Sequence, residues 1–88
     1  MIIERSGQFK RDVKLMKKRG KDIVKLRDIV EALAAEKKLP TRCRDHALIG
    51  NYVNSRECHI EPDWLLIYTQ IPQVLRLERT GSHADLFR

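Results

Sequence analysis

The sequence has little cysteine, no long apolar run and no repetitive segment, and each shortage narrows what the chain can be. Its two cysteines, Cys43 and Cys58, are too few for a disulfide-stapled scaffold and are expected to be reduced thiols. No apolar stretch approaches the length of a membrane span. The opening Met1-Ile2-Ile3-Glu4-Arg5 lacks the apolar segment of a secretory signal. A cytoplasmic protein with no membrane partner is expected. Repeats, linkers and low-complexity tracts are also missing, so residues 1–88 read as one domain with a modest core.

What is present fits a soluble globular protein, with 42% hydrophobic and 34% charged residues and a net charge of +6. The charge is lopsided. Residues 1–44 carry 14 of the 18 Lys/Arg and 6 of the 12 Asp/Glu, whereas residues 45–88 carry 4 and 6. A basic N-terminal half suits a polyanion partner, although helices also carry lysine simply to face water.

Periodicity outlines the elements. Residues 1–5 read as a strand. Ser6 is an N-cap for a helix to about Arg19, with Phe9, Val13 and Met16 as its apolar stripe and Gly20 as its stop. Asp22 caps a second helix over about 23–36, with Ile23, Leu26, Ile29, Val30 and Leu33 inward, and the short break implies a helical hairpin. Pro40 closes this region, and 40–51 reads as an extended loop holding His46 and ending at Gly50. Three strands follow, over 52–60, 64–69 and 74–80, separated by turns at Glu61-Pro62-Asp63 and at Pro72. In the first, Glu57 and His59 point one way, Cys58 and Ile60 the other; in the last, Leu75 and Leu77 point inward. Gly81 is expected to give the backbone freedom to turn. The order strand, two helices, three strands predicts an α+β fold with the helices on one face of the sheet.

The residues able to do chemistry are His46, His59 and His83, placed in a loop, at a strand end and in a turn, with Asp63 near His59. Histidine titrates near neutrality, so two of them, or one with a carboxylate, can supply a base and an acid at pH 7. RNA cleavage needs such a pair. A base takes the 2′-OH proton, the oxygen attacks the adjacent phosphate, and an acid protonates the leaving 5′-oxygen without any metal. Arg79 is a candidate to steady the charge that develops on the phosphate. Trp64 and Phe87 are either stacking platforms for unpaired bases or core residues. Zinc is the rival chemistry, from Cys43, His46, Cys58 and His59. However, adjacent Cys-His seldom both bind one ion and the spacing fits no finger, so no metal or other cofactor is expected.

These residues resemble the RelE/ParE toxin superfamily, most closely its YafQ-like mRNA interferases. The likeness runs through Ser6-Gly7-Gln8-Phe9-Lys10, Asp12-Val13-Lys14-Leu15, Asp45-His46-Ala47-Leu48-Ile49-Gly50, His59 to Tyr68 and Leu77 to Phe87. It implies a RelE/ParE-like fold with the helical hairpin on a mostly antiparallel sheet. It further implies a toxin of a type II toxin–antitoxin pair that enters the ribosomal A site and cuts mRNA. A cognate antitoxin would neutralise it, and operator DNA would be bound only through that antitoxin. By this resemblance His46, His59, Asp63, Trp64, His83 and Phe87 are the active-site positions, the histidines and Asp63 catalytic and Trp64 and Phe87 meeting the substrate, while Arg79 stays a candidate substrate contact on its charge. Lys10, Arg11, Lys14, Lys17 and Lys18 would then grip ribosomal RNA. Two other readings stand beside it: a toxin of the same fold without nuclease activity, as in gyrase-inhibiting relatives, and a nucleic-acid-binding adaptor supported only by the charge.

Overall fold

The computed structural model describes residues 1–48 and 54–87. Strand β1 (Ile2–Arg5) leads into helix α1 (Gly7–Lys18), and the capping is as expected. The Ser6 hydroxyl accepts from the Phe9 N–H at 2.9 Å and donates to the Glu78 carbonyl at 2.8 Å, which fastens the helix start to a distant strand. Gly20, at φ +81°, ends the helix. Lys21 N–H returns to Met16 O and Gly20 N–H to Lys17 O, so the last turn's carbonyls are satisfied.

Helix α2 (Ile23–Ala34) is capped by Asp22, whose Oδ1 accepts from Val24 N–H at 3.0 Å. It stops short of the expected Glu36. That residue takes the left-handed conformation itself, at φ 58°, while Lys37 N–H bonds Ala32 O. The stop has the same hydrogen-bond pattern as at Gly20, but a glutamate provides it and gives no advance signal.

A 3₁₀ turn (Thr41–Cys43) follows, then strands β2 (His46–Ala47), β3 (Arg56–Glu61), β4 (Trp64–Ile71) and β5 (Val74–Gly81), and a single-turn helix α3 (His83–Leu86). The 3₁₀ turn, β2 and α3 were not expected. His46 is therefore on a short edge strand opposite Glu57, not in a loop. The expected loop end at Gly50 and strand start at Tyr52 lie outside the described residues. The five strands are ordered β1-β5-β4-β3-β2, with β1 parallel to β5 and every other pairing antiparallel. None of the described helices is long and apolar enough to cross a membrane.

The sheet carries its core on both faces. Phe9, Met16, Leu26, Val30 and Leu33 from the helices pack on Cys58, Trp64, Leu66, Tyr68, Leu75 and Leu77. A smaller cluster, Leu65, Ile67 and Leu86 with Leu48 against it, lies on the opposite face. Trp64 through Tyr68 are all 0% exposed, which explains the unbroken apolar run. Trp64 is thus a core residue, and this corrects the expectation that it stacks on substrate. Its Nε1 donates to Thr80 Oγ1 at 2.9 Å, and that hydroxyl donates to Leu65 O at 2.7 Å. Both cysteines are free and buried, as expected of reduced thiols.

One irregularity sets which face β5 shows. Tyr68 pairs with Leu77 but Ile67 pairs with Arg79, so Glu78 is an extra residue. Simple alternation would put Arg79 inward with Leu75 and Leu77. The bulge shifts the phase by one, placing Arg79 and Gly81 with Ile67 and Leu65 on the face away from the helices. Asp12 of α1 secures this arrangement. Its buried carboxylate accepts from Thr80 N–H at 3.1 Å and from Arg79 Nε and Nη2 at 2.7 and 3.2 Å. Replacing Asp12 with Ala strands a buried N–H and a half-buried guanidinium. Urea unfolding should show a loss of about 2–3 kcal/mol; a loss within about 0.5 kcal/mol would mean that water replaces the carboxylate.

Candidate active site

The face turned away from the helices gathers the histidines. Across it, His46 on β2 lies opposite Glu57 on β3, Glu57 opposite Ile67 on β4, and Ile67 opposite Arg79 on β5. The neighbouring row runs His59, Leu65, Gly81. Beyond the strand ends, the Pro62–Asp63 turn and α3 close over the same edge.

Two groups face each other there. At one end, His83 opens α3. Its backbone N–H donates to Asp63 Oδ1 at 2.9 Å, and its Nδ1 lies 2.7 Å from the same oxygen. These two bonds, the backbone one foremost, hold the Asp63 carboxyl below its ordinary value. Asp63 therefore stays ionised and fixes the proton on Nδ1, leaving Nε2 as the working nitrogen. At the other end, Glu57 Oε1 lies 3.2 Å from His59 Nε2 and 3.7 Å from His46 Nε2. His59 Nδ1 meets Pro62 O at 3.2 Å and His46 Nδ1 meets Arg44 O at 2.6 Å. His59 is thus held between the Pro62 carbonyl and Glu57, and His46 is bonded to Arg44 O with Glu57 nearby. The rings of His59 and His83 are 5.6 Å apart, and Phe87, 42% exposed, holds its ring 6.4 Å from His83.

Four expected residues therefore come together, His46, His59, Asp63 and His83, with Phe87 beside them. Trp64 does not join them, being behind the sheet. Arg79 is opposite Ile67 on the same face, but its guanidinium is engaged by Asp12 of α1. Lys10, Arg11, Lys14, Lys17 and Lys18 are all exposed on α1, in the helix layer rather than in the site. Glu57 was missed. Its alternation with His59 marked the shared face, but a carboxylate inside a strand reads as structural. Arg42 and Arg44 were missed too; with His59 and Pro62 they border an open groove of about 330 Å³.

Metal-ligand geometry exists, though not where the cysteines suggested. Cys58 faces the helices, 0% exposed, while His59 faces the other way, so the Cys/His set cannot converge on one ion. Burial pushes the Cys58 thiol well above its ordinary value, which disfavours a thiolate ligand. Ligand atoms of Glu57, His59 and His83 lie within 4.8 Å of one another and are able to hold a transition metal.

A buried-side brace accompanies the site. Asp85 receives Arg19 Nη1 and Nη2 at 2.6 and 3.1 Å and the Ser82 N–H at 2.9 Å. The Arg19 bond foremost, then the Ser82 bond, hold its carboxyl far below the ordinary carboxylate range. A group depressed on folding contributes stability that is complete above its unfolded value, near pH 4, and is lost as the pH falls further. The modest melting-temperature gap between wild type and Asp85→Asn should therefore be constant from about pH 5 to 8 and shrink progressively as the pH falls from about 4 to 2. A gap of the same size at about pH 2 as at about pH 6 would show that the charge is not what stabilises.

The whole chain, residues 1–88, matches the family model described as bacterial toxin of type II toxin-antitoxin system, YafQ. It is 48% identical over 86 residues to the mRNA interferase toxin YafQ of Escherichia coli, covering 97% of this chain and 94% of the relative. It superposes on YafQ in the crystal structure of the Escherichia coli DinJ–YafQ complex with a TM-score of 0.91 and 47% identity, covering 98% of this chain and 97% of the other. A metal-bound toxin from Helicobacter pylori aligns with a TM-score of 0.92 and 42% identity over 99% of both chains.

Proposed function

We propose, from the premise that the chain belongs to the YafQ family of bacterial type II toxin–antitoxin toxins, that it is an mRNA interferase which cuts mRNA in the ribosomal A site. The single observation that carries the reading is the facing pair of groups, Asp63–His83 and Glu57–His59, on an open sheet face. A polymer substrate needs an open face, and phosphodiester cleavage needs an acid and a base on opposite sides of one phosphate.

In this reading the Asp63-braced His83 protonates the leaving 5′-oxygen through Nε2, because an ionised carboxylate on Nδ1 stabilises the imidazolium. Asp63 itself, held ionised by His83, is a weak base and orients rather than abstracts. The 2′-OH proton is taken at the other end by the Glu57–His59 pair, with His46 beside it, and the imidazolium formed there meets the phosphate with positive charge. Phe87 stacks on a base of the substrate. Arg79 is a lesser phosphate contact, since Asp12 offsets its charge. No metal takes part in this reading: an ion seated on Glu57, His59 and His83 would occupy the lone pairs that proton transfer requires.

The partners follow. The toxin acts in the cytoplasm on ribosome-bound mRNA, and the exposed cations of α1 hold ribosomal RNA phosphates. A cognate antitoxin neutralises it, as the DinJ–YafQ complex suggests for its relative, and supplies the contact to operator DNA. The gyrase-inhibitor type of toxin is disfavoured by the acid–base set, for which a pure binder has no use.

The deciding experiment maps mRNA 5′ ends in a translation reaction containing EDTA-treated wild-type or His83→Ala toxin. Cuts in phase with codons are expected from wild type, and a loss of at least about 100-fold from the variant. Intact mRNA with folded wild type would move the assignment to a non-nuclease toxin, and undiminished cutting by the variant would remove His83 from the mechanism. Separately, Ala at Lys14, Lys17 and Lys18 should weaken ribosome binding roughly 10-fold or more at low salt, with the loss shrinking as salt rises. Equal binding at both ionic strengths would place the ribosomal contact elsewhere.

A further inference from the structure

The turn that presents His83 is too short to hold itself. Helix α3 has four residues, and an isolated turn is unstable in water. Four anchors hold it. Leu86 is buried against Leu65 and Ile67. Asp63 takes the His83 N–H from outside. Ser82 and Asp85 exchange reciprocal cap bonds, Asp85 N–H to Ser82 Oγ at 3.1 Å and Ser82 N–H to Asp85 Oδ2 at 2.9 Å. Finally, Arg19, the C-cap of α1, grips the same Asp85 carboxylate with both terminal nitrogens, across 66 residues of sequence.

We infer that Arg19 and Asp85 are positioning residues: a two-pronged latch from the end of α1 that fixes the His83 turn, and with it the direction of His83 Nε2, against the sheet face. Asp85 is the common partner of the cap and of the latch, so moving it moves the first residue of α3. Gly81 belongs to the same device. Its φ is not in the left-handed region, so the backbone freedom expected of it is not what the site uses. A Cβ there would sit 2.9 Å from Asp85 Cβ and Oδ2, so glycine provides the room in which the carboxylate lies. Arg19 is 42% exposed and Asp85 19%, and a pair this open adds only modestly to global stability. Its effect falls on local geometry, where a displacement near 1 Å is enough to slow chemistry. The planar fork of arginine matters here, because a lysine ammonium cannot hold both carboxylate oxygens at once.

This rests on the reading of His83 as a group that moves a proton in RNA cleavage, and the test separates the two. Arg19→Lys keeps the positive charge that RNA would feel and removes the fork. Asp85→Asn raises the net charge, so it cannot repel RNA. Both should lower kcat on programmed ribosomes roughly 10-fold with KM within about twofold, and the double variant should be no worse than either single one. In free toxin, the His83 amide that donates to Asp63 should exchange with solvent at least about 10-fold faster in both variants. If Arg19→Lys cuts with wild-type kcat while Arg19→Ala loses only KM, Arg19 is an RNA contact and the latch is overturned; unchanged exchange at the His83 amide overturns it as well. If wild type does not cut RNA while exchange rises in both variants, the nuclease reading falls and the latch stands.

Discussion

The site depends on the register slip at Glu78. Without that extra residue, Arg79 and Gly81 would point into the helix layer, and Thr80 would face away from Trp64. With it, the end of β5 turns its glycine toward the open face, where α3 docks. Asp12 ties the slipped backbone to α1, and the Ser6 hydroxyl ties the bulge carbonyl to the helix start. A single helix therefore sets the phase of the strand that delivers His83, and its far end, at Arg19, closes on Asp85. The N-terminal half of the chain thus shapes the site through geometry.

Much of this was legible in the sequence. The α1 stripe of Phe9, Val13 and Met16, the α2 stripe, both caps and the Gly20 stop follow from side-chain chemistry close in sequence, and the structure repeats them. The α+β class and the shared face of Glu57 and His59 follow from alternation. What was hidden depends on partners far away in sequence. Trp64 reads as a base platform until β5 supplies Thr80, a hydroxyl for its indole N–H. Arg79 reads as a phosphate ligand until α1 supplies Asp12. The stop at Glu36 is invisible because a non-glycine residue adopts the left-handed conformation, and β2 is too short to show a period.

The same logic explains why Glu57 escaped and Asp63 did not. Asp63 stands in a turn, exposed, where an acidic residue invites a functional reading. Glu57 is buried inside a strand, where the ordinary expectation is a satisfied structural group. Its close neighbours are two histidines, His59 two residues along its own strand at 3.2 Å and His46 on the edge strand at 3.7 Å. A buried carboxylate whose neighbours are imidazoles is costly as pure scaffold, since hydrophobic residues would pack the face more cheaply. Its place beside His59, on the face that also carries His46 and Arg79, is what the proposed acid–base reading uses.

The distribution of charge then has a physical rationale. The exposed lysines and arginines of α1 attract a polyanion at long range, but the face where chemistry occurs carries carboxylates as well as imidazoles. Three unopposed histidines beside an RNA backbone would bind ground state and transition state alike, and uniform binding does not speed the chemical step. In the proposed mechanism Asp63 holds the His83 Nδ1 proton before the RNA arrives, so the charge that develops on the leaving oxygen meets a donor already oriented. In that reading steering is left to the helix layer, and discrimination between ground and transition state to the balanced pairs on the opposite face.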